Sequence, residues 1–197
     1  MRSGRDGDIA VCILAGGEAT RFPGKLQRDI RGVPLLRRTY ESVREIGPVV
    51  VSVKLAPQAQ SLPREAVTIV EDDRPGTGPL AALVSVFSTI AYPQIFVVAG
   101  DAPYAGKAVF EALRAAWIPE CEAVVPVNRD GTLQPLTALY ERTAFLRAAQ
   151  HPAVAASGAV RRLVEELRVV RVTNLNERVF FNVNTEAEYR AAGEETW

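Results

Sequence analysis

The sequence predicts an α/β fold built on a mostly parallel central sheet with helices on both faces. Two observations carry this. Short runs rich in Val and Ile alternate with longer stretches of helical periodicity, the order expected of parallel strands joined by crossover helices. Most of the strand-like runs are also continuously apolar, as strands buried on both faces require. The size agrees, because 197 residues with 48% hydrophobic content are enough for one α/β domain with a full core.

In chain order, the apolar runs predict strands at Ile9–Leu14, Val49–Lys54, Val67–Glu71, Ile95–Ala99, Ala123–Val127, Leu136–Tyr140 and Val169–Val172. Helical periodicity predicts helices over Pro34–Ile46, Pro79–Ala91, Lys107–Trp117, Arg142–Ala149 and Ala159–Leu167, with a short last one from about Glu186. Pro34 and Pro79 suit first-turn positions, where the missing N–H costs nothing. Asp130-Gly131 predicts a tight turn between Asn128 and Gln134. The polar start, residues 1–7, reads as a disordered tail, and residues 8–197 as a single domain.

Composition narrows the function classes. Lys plus Arg (23) equal Asp plus Glu (23), so no overall field draws the chain to nucleic acid or to an anionic membrane. Any phosphate binding must be local. No apolar run approaches the ~20 residues that span a bilayer, and the N-terminal stretch has no signal-peptide core, so a cytoplasmic protein is expected. Cys12 and Cys121 lie far apart in apolar runs and read as buried thiols.

In an open α/β sheet the ligand lies beyond the carboxyl ends of the strands, so the residues just after each strand carry the chemistry. After the first strand come Leu14-Ala15-Gly16-Gly17. Adjacent glycines let backbone amides approach phosphate oxygens, although the same pair also suits a plain strand-exit turn. Arg21 and Lys25 follow in the same loop and tilt the reading toward phosphate. Their charge-assisted hydrogen bonds are worth about 1.5–3 kcal/mol each.

Gly100-Asp101-Ala102-Pro103 follows the fourth strand and makes Asp101 the metal candidate. Mg2+ takes one or two protein carboxylates and fills its shell with substrate phosphates and water. The competing role for Asp101 is a helix cap. Asp72 follows the third strand and offers a carboxylate to the N1–H and N2–H2 edge of guanine, with Gly78 allowing close approach; an acidic loop before a helix is the alternative. In Phe181-Asn182-Val183-Asn184-Thr185 the two amides share a side if the segment is extended, and Thr185 is placed to cap the next helix. Asn184 is a candidate second ligand for metal or phosphate. Gln134-Pro135 and Arg161-Arg162 complete the polar inventory, the arginines reading by chemistry alone as a solvated face.

Together these residues resemble the molybdenum cofactor guanylyltransferase family, of the nucleotide-diphospho-sugar transferase superfamily. The likeness runs from Ile13 to Tyr189 and rests on Leu14-Ala15-Gly16-Gly17 with Arg21 and Lys25, Asp72 with Gly78-Pro79-Leu80-Ala81-Ala82-Leu83, Gly100-Asp101-Ala102-Pro103-Tyr104, and Phe181-Asn182-Val183-Asn184-Thr185. It implies a Rossmann-like three-layer α/β/α sandwich. It implies GTP bound through Leu14, Ala15, Gly16, Lys25 and Asp72, with Asp101 holding Mg2+; by their chemistry Gly17 and Gly78 join the nucleotide contacts, and Arg21, Lys25 and Asp101 are the candidate catalytic residues. Gln134, Arg161, Asn182 and Asn184 would lie toward a molybdopterin acceptor, Arg161 and Arg162 meeting its negative charge. The implied reaction joins the acceptor's terminal phosphate to the GMP part of GTP and releases pyrophosphate. Transient contact with molybdenum insertion or acceptor proteins would accompany it.

The spacing Arg21-Phe22-Pro23-Gly24-Lys25 is shorter than that family's loop and resembles the cytidylyltransferases that activate acidic sugars. Cytidylyl transfer to a molybdenum pterin or small phosphorylated or acidic sugar is therefore the second reading. A non-catalytic nucleotide-binding module is the third, and Arg21, Lys25 and Asp101 together count against it. No Ser or Cys has a base beside it, and His151 lies outside every motif, so direct in-line attack without a covalent enzyme intermediate is expected.

Overall fold

The computed structural model describes residues 8–16, 24–71 and 78–194. Gly17, Arg21, Asp72 and the expected tail at residues 1–7 lie outside the described residues. The elements run β1 (Ile9–Leu14), β2 (Asp29–Ile30), β3 (Val33–Pro34), α1 (Leu35–Val43), β4 (Val49–Val53), β5 (Val67–Glu71), α2 (Pro79–Thr89), β6 (Gln94–Ala99), α3 (Lys107–Ala115), β7 (Ala123–Pro126), β8 (Thr137–Glu141), α4 (Arg142–Ala149), α5 (Pro152–Ser157), α6 (Val160–Glu165), β9 (Val169–Val172) and α7 (Glu186–Glu194).

Seven strands form one sheet in the order β5-β4-β1-β6-β8-β7-β9. Its pairs are parallel except that β8 runs against both β6 and β7. The sheet is closed on both sides, and strand alternation shows it. Val11 and Ile13 of β1 join Val51, Phe96 and Val98 in a core under α1 and α3. Their neighbours Ala10 and Cys12 join Val50, Ile95 and Val97 in a second core under α2, α4 and α6. The three-layer α/β/α sandwich follows from two buried faces on one sheet.

The seven expected strands and six expected helices are present with ends shifted by a few residues. Three features differ. Pro34 is not in the first turn of α1: it closes the two-residue ladder β2–β3, paired with Asp29, and its extended backbone (ψ 142) leaves Leu35 to start the helix. That hairpin is too short to show alternation, and its turn holds Arg31 at φ 53 beside Gly32 at φ 76. The helix α5, capped by Gly158 at φ 63, was also not expected. The Asp130-Gly131 turn forms as expected, with the Asn128 N–H donating to the Thr132 carbonyl at 3.0 Å and Gly131 at φ 85.

The C-terminal segment folds back onto the hairpin. Val183 and Ala192 are buried with Ile30 and Leu35, and Phe181, Tyr189 and Leu26 pack around them. Full burial of one Val side chain is worth about 1.5–3 kcal/mol. Arg28 and Glu186 form an ion pair at 2.6 Å, and the Tyr189 hydroxyl donates to the Asp29 carbonyl. Among the described residues no helix is long and apolar enough to cross a membrane. Cys12 and Cys121 are free and buried, and burial raises both thiols above their usual range.

Candidate active site

The site begins where β1 and β6 end side by side. Gly100 N–H donates to the Leu14 carbonyl at 2.8 Å, and Ala15 N–H to the Ser52 carbonyl at 2.8 Å, so the exits of β1, β4 and β6 are tied together. Gly16 fits tightly there: a Cβ would meet the Lys54 nitrogen and Val53 carbonyl carbon at 3.2 Å. A side chain is therefore resisted at this turn by the neighbouring backbone.

Asp101 follows β6 with only Gly100 between. It is no helix cap, because α3 starts only at Lys107 with Gly106 at its N-cap. The peptide before it is held by Thr39 of α1, a fully buried residue whose hydroxyl donates to the Gly100 carbonyl at 3.0 Å. The peptide after it is held by Val183, whose N–H donates to the Asp101 carbonyl at 3.0 Å. The carboxylate is thus fixed at both ends of its residue.

Lys25 comes from the loop before β2. Gly24, at φ 69 in the left-handed region, turns the chain into a single 3-10 turn over Lys25–Gln27. From there the Lys25 ammonium donates to Asp101 Oδ2 and, at 2.8 Å, to Asn184 Oδ1. The Lys25 and Asp101 side chains are only 14% and 17% exposed, so the pair is shielded from solvent.

Asn184 is set by a variant of the capping box in which Glu188 reaches the N–H one residue before the cap. The Thr185 hydroxyl accepts from Glu188 N–H at 3.2 Å, while Glu188 Oε2 accepts from Asn184 N–H at 2.8 Å and from the Thr185 hydroxyl at 3.0 Å. The expected cap at Thr185 is present. Glu188 was missed, although Thr185-Glu186-Ala187-Glu188 has the S/T-x-x-E spacing that signals it. Thr39 was also missed, and it has no such signal, since its partner lies far along the chain.

Of the expected site residues, Leu14, Ala15, Gly16, Lys25, Asp101 and Asn184 come together. Gly78 stands at the N-cap of α2, and a Cβ there would lie 3.4 Å from the Gly158 carbonyl, just before α6. Arg161, exposed in the first turn of α6, is therefore near the Gly78 side of the sheet edge. Arg162 beside it pairs with Glu165 and keeps the solvated-face character read from chemistry alone. Gln134 is half-buried in the loop before β8, its N–H donating to the Pro126 carbonyl at 2.9 Å. Because β8 is antiparallel and Thr137 pairs with Val98, Gln134 lies at the same edge as Asp101. Asn182 is half-buried two residues before Asn184. Among the described residues no hydrogen bond joins Gln134, Arg161 or Asn182 to the Lys25–Asp101–Asn184 cluster.

Comparison with known proteins gives this arrangement a context. A probable molybdenum cofactor guanylyltransferase of Chloroflexus aggregans is 32% identical over 140 residues, 68% of this chain and 65% of that protein's length. A 3-deoxy-manno-octulosonate cytidylyltransferase of Francisella tularensis is 32% identical over 124 residues, 60% of this chain and 49% of that protein. The crystal structure of molybdopterin-guanine dinucleotide biosynthesis protein A from Archaeoglobus fulgidus superposes with a TM-score of 0.74 over 94% of this chain and 97% of that one, at 23% identity, a likeness of fold. The family model described as MobA-like NTP transferase domain matches residues 11–172, well over half of the sequence. By that match the chain belongs to the MobA-like NTP transferase domain family, and so to the nucleotidyltransferases.

Proposed function

We propose that the chain transfers GMP from GTP to the terminal phosphate of a molybdopterin-type acceptor and releases pyrophosphate. The observation that supports this most is the meeting of Lys25, Asp101 and Asn184 beside the Gly16 exit of β1, in a chain of this family. An acceptor phosphate is already ionised and needs no general base, so positioning and charge neutralisation are what the protein must supply. In this reading the Gly16 turn receives the triphosphate, Lys25 and Arg21 neutralise its oxygens, and Asp72 with Gly78 reads the base. Arg161 and Gln134 receive the acceptor from the α6 and β8 side, and Asn182 from the C-terminal segment beside Asp101.

Mg2+ suits the site on its donor chemistry. The Asp101 carboxylate and the Asn184 amide oxygen are both hard oxygen donors, and both turn toward one cation, the Lys25 ammonium. These two residues would hold the ion, which when bound supplies positive charge to the phosphates. The cytidylyl reading is favoured by one feature, the Arg21-to-Lys25 spacing, and by the likeness to the Francisella cytidylyltransferase.

Thermal melting with GTP, CTP, ATP and UTP, each with Mg2+, separates the two. A nucleotide at about 100 Kd stabilises by about 2.7 kcal/mol, which is about 5–10 °C for a chain of this size. GTP should give the shift, and pyrophosphate should appear once a molybdopterin acceptor is added. A shift with CTP alone rejects guanylyl transfer, and binding without pyrophosphate release rejects catalysis.

A further inference from the structure

The Lys25 ammonium stands where the proposed function requires a divalent ion. Its Nζ is hydrogen-bonded to Asp101 Oδ2 and to Asn184 Oδ1, the two oxygens that suit Mg2+. Among the described residues it is the one cation paired with Asp101. The two acceptors are braced: Asp101 by Val183 N–H and by the Thr39 bond to Gly100, Asn184 by Glu188. Lys25 hangs on a flexible four-carbon stem from a single turn that starts at a left-handed glycine. The part free to leave is the lysine.

We infer that Lys25 is a place-holder for the metal. Without nucleotide it neutralises Asp101 and keeps the site closed to divalent ions. The triphosphate offers the ammonium a richer set of anionic oxygens, draws it off Asp101, and so opens the carboxylate to the ion. Metal binding is then conditional on nucleotide, and by linkage each favours the other. This rests on Lys25 and Asp101 having the roles given them above, but not on which base is used.

The test uses Mn2+ alone, with no nucleotide, followed by the electron paramagnetic resonance signal of the free ion. An ion entering the wild-type site must break a charge-assisted hydrogen bond, so Lys25→Met should bind Mn2+ about ten- to a hundredfold more tightly than wild type. Lys25→Gln, which keeps a neutral donor for Asp101, should gain in the same direction and serves if the Met variant does not fold. Adding Asp101→Asn to either variant should abolish the gain. Equal Mn2+ binding by wild type and both variants, whether tight or absent, overturns the place-holder role. Because nucleotide is absent, that result leaves the GTP melting shift untouched, so the two readings fail separately.

Discussion

Replacing Gly100 by Ala tests whether the strand exit controls the site. The new Cβ would lie 3.0 Å from the Leu14 carbonyl oxygen, 3.3 Å from Leu36 Cδ1 and 3.4 Å from Ala15 Cα. Two of these three neighbours are backbone, and Leu36 is fully buried, so relief must come from residues 100–101 moving a few tenths of an ångström away from β1. Overpacking of this kind costs about 1–3 kcal/mol, or about 3–10 °C in Tm at this chain length. Asp101 moves with Gly100. Since about 1 Å of misplacement costs about a hundredfold in rate, a few tenths should cost about three- to tenfold in kcat. Melting curves and pyrophosphate release at saturating GTP and acceptor measure both effects. Gly131→Ala is the control: at φ 85, with nothing near its Cβ, it should cost about 1 kcal/mol of strain and leave kcat alone. If Gly100→Ala matches wild type in both Tm and kcat, the claim that this turn sets Asp101 is wrong.

Lys25→Ala and Asp101→Ala should each lower kcat by about a thousandfold with the fold kept, as read by pyrophosphate release and circular dichroism; near-wild-type turnover in either would refute their roles. Glu188→Ala should lose its bonds to the Asn184 N–H and the Thr185 hydroxyl, costing about 1 kcal/mol in a urea melt, and should lower turnover because Asn184 loses its brace. Unchanged turnover would show that Asn184 needs no such support. Glu122 links stability to pH. Burial would raise its carboxyl, but the Arg168 backbone N–H and the Arg147 and Arg168 guanidinium groups outweigh burial and hold it below 4.5. Its contribution is therefore whole above about pH 4.5 and lost as pH falls through the lowered folded value. Both arginines are more than half exposed, so Glu122→Gln should cost about 1–2 kcal/mol at pH 7, less than a fully buried pair. The wild-type advantage in Tm should shrink below pH 4.5, and a gap independent of pH would refute this.

What the sequence revealed depended on how local the physics was. Runs such as Val49–Lys54 and Ile95–Ala99 announce buried strands because nearly every side chain is apolar, and the structure has them as Val49–Val53 and Gln94–Ala99. Gly16, Lys25 and Asp101 could be singled out because they follow strand ends in sequence, and the structure brings the Lys25 ammonium to Asp101 beside the Gly16 turn. The β2–β3 hairpin was not, since two-residue strands carry no period and Pro34 reads equally as a helix start. Thr39 was hidden for another reason: its hydroxyl serves a carbonyl 61 positions away, and no spacing encodes that. The direction of β8 was equally unreadable, because an apolar run such as Ala138-Leu139-Tyr140 looks the same in either sense.

The C-terminal segment shows how the site is completed from outside the matched family span. That span ends at residue 172, yet Asn184 supplies the second acceptor for Lys25. What brings it there is packing rather than chemistry. Val183 is fully buried against Ile30 and Leu35, and its N–H donates to the Asp101 carbonyl, so the residue that anchors the segment also touches the loop that carries Asp101. The β2–β3 hairpin is the platform for this docking, and it follows Lys25 by only a few residues. One small apolar cluster therefore sets the relative positions of Lys25 and Asn184, while the strand exit and Thr39 set Asp101. The net charge of the chain is zero, so the proposed phosphate site cannot draw on an overall field. It depends on a cation held locally between two braced oxygens, which is why a small shift of either brace should be felt first in turnover and only second in stability.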